Sequence, residues 1–336
     1  MRKHMLPLIA VLLVLVGCAD QPDLPTILTA TPAPPTTPAP RALHPTGEPG
    51  SARIHEPGWS TPIKLSFNDD GWEDSPYITR DGSQILFFYH PFPDLVTTVD
   101  ELTEYVVAHP QEAEAQGLDG KIYVSDRPFT SRRVHPISQD GSPALECCPY
   151  VSPSGELFYV SNRRSWELMK DVPVSIYRDG ERLDLRTDQA VDNPHYCPAR
   201  DELWFDCPSD ANLCVMRNAA ATGFQGQVTV APYPVNARDD RVQDSQAFLT
   251  DDCQTLYITS SRDFPDLGRT QIYRLRRLDE EGLQWSGPEL FINSETLVAE
   301  VSMTADGTEL VFAQVFWRED GTPGIDIYYS RKVTSP

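Results

Sequence analysis

Five places along this chain carry an acidic side chain where a short apolar run begins: Glu73 with Asp74, then Glu146, Asp192, Asp244 and Glu300. Carboxylates gathered at close range repel one another and hold on to protons unless positive charge offsets them. Brought together, they suit a polar or cationic ligand, or a bound cation such as Ca2+. Arg163, Arg262 and Arg318 follow the next apolar runs and are placed to compensate them. The recurrence also fits a structural use, in which each carboxylate bonds to the backbone of a neighbouring segment, and an acid in every segment favours that use. No Ser-His-Asp constellation, phosphate-cradling glycine loop or nucleotide fingerprint accompanies the acids. Binding rather than catalysis is therefore expected, with no resident cofactor.

The chain has 7 cysteines, of which Cys18 stands apart near the N-terminus. The others form an even set, which outside the cytoplasm points to disulfides. Cys207 and Cys214 bracket a short connection and suit a local disulfide. Cys197 and Cys253 sit at the far ends of hairpins in neighbouring segments and form a second pair if the geometry lets them meet. Cys147-Cys148 lies beside the acid of its segment, as a vicinal disulfide or, with His195, as a soft-metal site. The 7 histidines show no recurrent metal spacing.

The elements that must position these side chains repeat. Asp74-Ser75-Pro76-Tyr77-Ile78 leads through Asp81-Gly82 into Ile85 to Tyr89, and Glu146 to Val151 leads through Ser154-Gly155 into Leu157 to Ser161. Asp192 to Cys197, Asp244 to Leu249 and Glu300 to Met303 begin three further copies. Asp-Gly and Ser-Gly supply the positive φ of a tight turn, and the flanking β-branched and aromatic runs favour a pleated sheet, so each copy predicts a β-hairpin. A third strand follows each hairpin, at Lys121–Val124, Ser175–Arg178, Leu213–Met216, Gln271–Arg274 and Asp326–Tyr329. An outer fourth strand is clearest at Trp285 to Leu290. Four antiparallel strands roughly every 45–55 residues match one blade of a propeller.

The stretch from Pro149 to Arg163 resembles the TolB-type, WD40-like β-propeller repeat, and the likeness extends over residues 59–330, weakest in the third and fifth copies. It implies an all-β propeller of four-stranded antiparallel blades, five in number, with six as the alternative. In such a ring the inner strands surround a channel and the acids ring one of its mouths. Only three strands follow the start of the fifth copy, while Trp59 to Leu65 echoes Trp285 to Leu290. The N-terminal strand is therefore expected to complete the last blade and remove an open edge. An insertion over about 93–120 reads as a short helix from Asp100 to Val107, either a lid or docking loop on the ligand face or a decoration. The repeat serves many binding roles and some enzymes. Five-bladed propellers include furanosidase-type glycoside hydrolases, and on that likeness Asp74, Glu146 and Asp192 are the alternative acid, base and modulator.

Residues 1–18 read as a secretory leader: Arg2 and Lys3, an apolar run from Leu6 to Val16, then Leu15-Val16-Gly17-Cys18, which resembles a lipobox with Cys18 as the lipidated residue. Residues 19–52 are rich in Pro and Thr and form a semi-rigid tether rather than a core, so residues 53–336 hold the folded domain. The net charge of −21 repels phosphate backbones, so nucleic acid is not an expected partner. The expected protein is a monomer in the cell envelope, held by lipid alone and preferentially at the outer membrane. Its folded part faces the periplasm or exterior, and its partner is an envelope protein or a polar or cationic ligand.

Overall fold

The computed structural model describes residues 45, 47, 50–90, 120–139, 144–168, 173–185, 190–207, 212–267, 269–279, 283–318 and 323–333. The leader, Cys18, most of the tether and nearly all of the 93–120 insertion lie outside the described residues. Two short strands come first, β1 (Arg53–Ile54) and β2 (Ile63–Lys64). One antiparallel set then follows per sequence copy. The first is β3 (Trp72–Ile78), β4 (Gln84–His90), β5 (Lys121–Asp126) and β6 (Arg133–Val134). The second is β7 (Glu146–Val151), β8 (Leu157–Ser161), β9 (Ser175–Arg178) and β10 (Glu181–Arg182). The third is β11 (Asp192–Cys197), β12 (Glu202–Asp206), β13 (Leu213–Arg217) and β14 (Val228–Val230). The fourth is β15 (Asp244–Leu249), β16 (Thr255–Ser260), β17 (Gln271–Arg276) and β18 (Glu289–Asn293), with β1 added outside β18. The last is β19 (Val298–Met303), β20 (Glu309–Trp317) and β21 (Pro323–Arg331), and β2 pairs with β21. Helix is confined, among the described residues, to α1 (Arg163–Leu168) and a 3-10 turn at Pro136–Ser138. The fold is all but entirely β, and its succession of four-stranded antiparallel sheets is consistent with a propeller.

The hairpin turns form for the reason the sequence suggests. Asp81 Oδ1 accepts from Thr79 Oγ1 at 2.8 Å and from Ser83 N at 3.0 Å, while Gly82 takes φ +70°. Asp306 repeats this with Thr304 Oγ1 and Thr308 N, and Gly307 takes φ +62°. A carboxylate that ties down its own turn favours the hairpin over other local conformations.

The outer strand of the fourth sheet lies later than expected, at Glu289–Asn293 rather than Trp285 to Leu290. Pro288 has no N–H to give to the ladder, so regular pairing resumes only after it. Trp285 makes an isolated bridge to Arg277 and packs edge-on to Trp204, centroids 5.9 Å apart. The N-terminal segment behaves alike. Trp59 bridges Lys332, Pro62 interrupts, and the paired strand is Ile63–Lys64 opposite Tyr329 and Tyr328.

Inner strands β3, β7, β11, β15 and β19 pack against one another in sequence, and β19 also packs against β3. Each is bulged at the same point. The register shifts between Asp74 and Tyr77, Cys147 and Tyr150, Asp192 and His195, Ser245 and Phe248, and Ala299 and Ser302. Within each shift one residue is left-handed: Ser75 (φ 50°), Cys148 (57°), Asn193 (48°), Gln246 (55°) and Glu300 (59°). Such a conformation costs about 1–3 kcal/mol in a non-glycine residue and persists only where surrounding bonds over-determine it. Those bonds lie two residues on. Tyr77 Oη donates to the Val151 carbonyl at 2.5 Å, Tyr150 Oη to the Tyr196 carbonyl at 2.5 Å, and Leu249 N to His195 Nε2 at 3.1 Å. Ile78 N donates to Ser302 Oγ at 2.8 Å, so the last inner strand is bonded to the first. Phe248 fills this position in the fourth sheet and packs edge-on to His195.

Candidate functional site

Counted from the left-handed residue, the recurring acids fall into two classes. Glu73, Glu146 and Asp244 stand two residues before it, fully buried, and each meets an arginine. Arg132 Nη1 lies 2.5 Å from Glu73 Oε1, Arg163 Nη2 contacts Glu146 Oε1, and Arg262 Nη2 lies 2.6 Å from Asp244 Oδ1. Asp244 also accepts from Ala237 N at 2.7 Å and Ser260 Oγ at 2.5 Å. Each of these acids has a guanidinium partner, although at Glu73 burial outweighs Arg132 and pushes the carboxyl up to about 8. Arg163 and Arg262 are thus spent on Glu146 and Asp244. Arg318 donates instead to the carbonyls of Pro323 and Asp70. Arg132, which no repeat pattern marks, arrives from the connection between β5 and β6.

The second class lies at or one residue before the bulge. Asp74 and Asp192 precede it, Glu300 occupies it, and Asp206 joins them from the end of β12. Ser75 ties Glu300 in place, donating from N to Oε2 at 2.6 Å and from Oγ to Oε1 at 3.1 Å, while Gln246 Nε2 donates to Oε1 at 2.7 Å. Asp74 Oδ1 and Asp192 Oδ1 each accept from the next residue's N–H, at 2.9 and 2.8 Å. Asp206 accepts from Asn193 Nδ2 at 2.8 Å and Gln246 N at 2.8 Å. Among the described residues, none of these four carboxylates has an Arg or Lys partner. Burial, then the Asp74 carboxylate, hold Glu300 well above the ordinary carboxylate range. Burial raises Asp192, and burial with Asp192 beside it raises Asp206. A positive ligand relieves acids crowded together without a basic partner.

Asp206 went unseen in the sequence because it ends a second strand, where no other copy has an acid facing inward. The signal that could have found it is its pairing opposite Asp192 across the hairpin.

Beside the acids lie both free thiols. Cys148 Sγ is 2.9 Å from Cys147 Sγ and 2.9 Å from Asp192 Oδ1, and Cys147 Sγ is 4.0 Å from that oxygen. Burial lifts the Cys148 thiol well above its usual range. His195 does not join them as expected. Its ring lies between Tyr150 and Phe248, with centroids 4.1 and 5.1 Å away, and its Nε2 is committed to Leu249 N. The remaining four cysteines form two disulfides. Cys207–Cys214 staples the β12–β13 connection, and Cys197–Cys253 joins the hairpin turns of the third and fourth sheets, with Cα atoms 6.2 Å apart.

The bulge residue and the next two from each of the five inner strands line a single cavity of about 60 Å3. Glu300 and Cys148 are part of this lining, together with proline and aromatic side chains such as Pro149 and Phe248, while Asp74, Asp192 and Cys147 are their immediate chain or contact neighbours.

No family model matches this chain, and no curated protein matches it in sequence. Solved structures with a similar course of strands include a candidate TolB from Agrobacterium tumefaciens, 12% identical, covering 81% of this chain and 94% of that one with TM-score 0.41. A thermostable family-43 glycoside hydrolase is 10% identical, with 81% and 98% covered and TM-score 0.48. A subtype N11 neuraminidase-like protein of A/flat-faced bat/Peru/033/2010 (H18N11) is 12% identical, with 88% and 98% covered and TM-score 0.40. At such identities the likeness concerns the course of the backbone and does not extend to activity.

Proposed function

We propose that this chain is a five-bladed, TolB-like β-propeller that binds rather than transforms its ligand, carried at the cell envelope on a lipid attached to Cys18. In this reading β2 completes the fifth blade, and one mouth of the axial channel takes a cation or cationic ligand. The observation that carries it is the contrast between the two classes of acid. Three have an arginine partner, whereas Asp74, Asp192, Asp206 and Glu300 converge without any basic partner among the described residues. Uncompensated charge held in that way favours a positive ligand. The hydrolase alternative gains nothing from the geometry. Glu146, its required base, is buried under Arg163.

Equilibrium dialysis of the full chain with Ca2+ and with spermidine tests the reading. Asp192→Asn combined with Glu300→Gln is expected to abolish binding while leaving the melting temperature unchanged or raised. Asp244→Asn is expected to leave binding intact and to cost on the order of 3 kcal/mol of stability, because it strands Arg262. Binding of neither probe to the native chain, or binding untouched by the double variant, rejects the site. For the anchor, Cys18→Ala is expected to move the chain from the membrane fraction to the soluble one.

A further inference from the structure

Among the described residues the two disulfides leave Cys147 and Cys148 over, and both lie against the same carboxylate. One ligand atom from each of Cys147, Cys148 and Asp192 lies within 4.8 Å of the others. A tetrahedral ion with bonds of about 2.3 Å to sulfur and 2.0 Å to oxygen holds those ligands roughly 3.5 Å apart. The two sulfur-to-oxygen distances, 2.9 and 4.0 Å, bracket that value. The sulfurs, 2.9 Å apart, need to part by just under 1 Å, to the roughly 3.8 Å that two such bonds require. The surroundings favour a cation as well. Ser75 Oγ reaches Cys148 Sγ at 3.6 Å, Glu300 lies on the far side of Ser75, and no lysine or arginine pairs with these acids among the described residues. The side-chain carbonyl oxygen of Gln246 is shut off from solvent with no hydrogen-bond partner, and Gln246 lines the same cavity.

We propose that Cys147, Cys148 and Asp192 form a binding site for a thiophilic divalent cation, Zn2+ or Cd2+. Two adjacent thiolates select a soft or borderline ion over Ca2+ or Mg2+, which prefer all-oxygen sets. With three protein ligands the fourth position is left to water or to an exchangeable donor entering the mouth. This inference deepens the binding role proposed above and rests on the same mouth being the ligand site.

The test uses the full chain after dialysis against a chelator, with its reactive thiols counted under native conditions. Zn2+ is then titrated by calorimetry, and Cd2+ is followed by its thiolate-to-metal charge-transfer absorption. One ion per chain and a charge-transfer band are expected. Cys147→Ser and Cys148→Ser each weaken binding by more than the roughly 100-fold that loss of a ligand's hydrogen-bond partner costs. Asp192→Asn, which replaces a charged oxygen ligand by a neutral one, weakens it as well, by at least the roughly 10-fold that an outer-shell change costs. Unchanged melting of the metal-free serine variants establishes that they fold. Three results overturn the site: binding without the band and indifferent to both serine variants; no binding although Cys147 and Cys148 both react; or no reactive thiol besides Cys18 and a mass two hydrogens lower, which makes the pair a vicinal disulfide. Where spermidine still binds in those cases, the acidic mouth stands and only the metal is lost; where spermidine fails too, both readings fall.

Discussion

Glu146 and Asp192 both head an inner strand, yet Glu146 stands two residues before the left-handed residue and Asp192 one before it. That single step gives one acid to Arg163 and the other to the axis, beside two thiols. His195 shows the same sensitivity from the opposite direction. It takes the place that Tyr77 and Tyr150 take in their strands, but bonds to the next strand as an acceptor. Burial lowers its pKa from 6.5 to about 3. Between those values the unfolded chain binds a proton that the folded chain refuses. The resulting stability is complete above about pH 6.5 and is lost as pH falls toward 3, by up to about 1.4 kcal/mol per pH unit. His135, lowered to about 4 by burial and Arg133, contributes with the same sign. His195→Gln keeps an acceptor for Leu249 N but does not titrate. Denaturant unfolding between pH 4 and 7 is expected to show a slope lower than the native one by up to about 1.4 kcal/mol per pH unit, the raised carboxylates entering both proteins alike; an unaltered slope refutes the assignment.

At the scale of elements, adjacent sheets are held by buried ion pairs on the face of the hairpin turns. Arg127, at the end of the third strand of the first sheet, pairs with Glu309 of the fifth, their side chains 2% and 6% exposed, and also donates to the Gly82 carbonyl at 2.8 Å. Arg277 and Glu202 pair likewise between the fourth and third sheets. Removing one member of such a pair leaves a charge without compensation, at a cost of about 3–5 kcal/mol, whereas replacing both with apolar groups is often near neutral. Arg127→Met is therefore expected to destabilise by that amount, and Arg127→Met with Glu309→Leu by much less. Additive losses in the double-mutant cycle contradict a coupled pair. Strands and turns were legible before the structure because Asp-Gly turns and alternating aromatic runs act locally. The bulge was not. Its left-handed position is filled by Ser75, Cys148, Asn193, Gln246 and Glu300, which share no residue type. Without that marker the acids read as one repeating ring rather than two classes, and Asp206 was missed. His195 lies two residues past the left-handed residue of its strand, where its ring packs between Tyr150 and Phe248 rather than beside the thiols, and nothing in the sequence marks that bulge.

For the whole molecule, what matters is how the two ends of the chain meet. The strand after Pro62 lies against β21, in register Ile63 to Tyr329 and Lys64 to Tyr328, and Lys64 Nζ sits 2.7 Å from Asp326. Immediately after it, Leu65 is fully buried and Phe67 stacks on Phe87 at 4.6 Å, so these residues belong to the core shared by the first and last sheets. Ser302 bonding to Ile78 adds a second tie across the same junction. If the sheets form one closed ring, a defect here opens it, because the first and last sheets each lose a neighbour at once. Leu65→Ala removes side-chain volume from that seam and is expected to cost about 2–5 kcal/mol. The loss is expected in one cooperative transition, seen alike by tryptophan fluorescence and by far-ultraviolet circular dichroism. An open stack of sheets would answer differently. The terminal sheets would melt first, the two probes would separate, and the exposed edge of β21 would promote association. Coincident transitions support closure through β2, and separated ones exclude it.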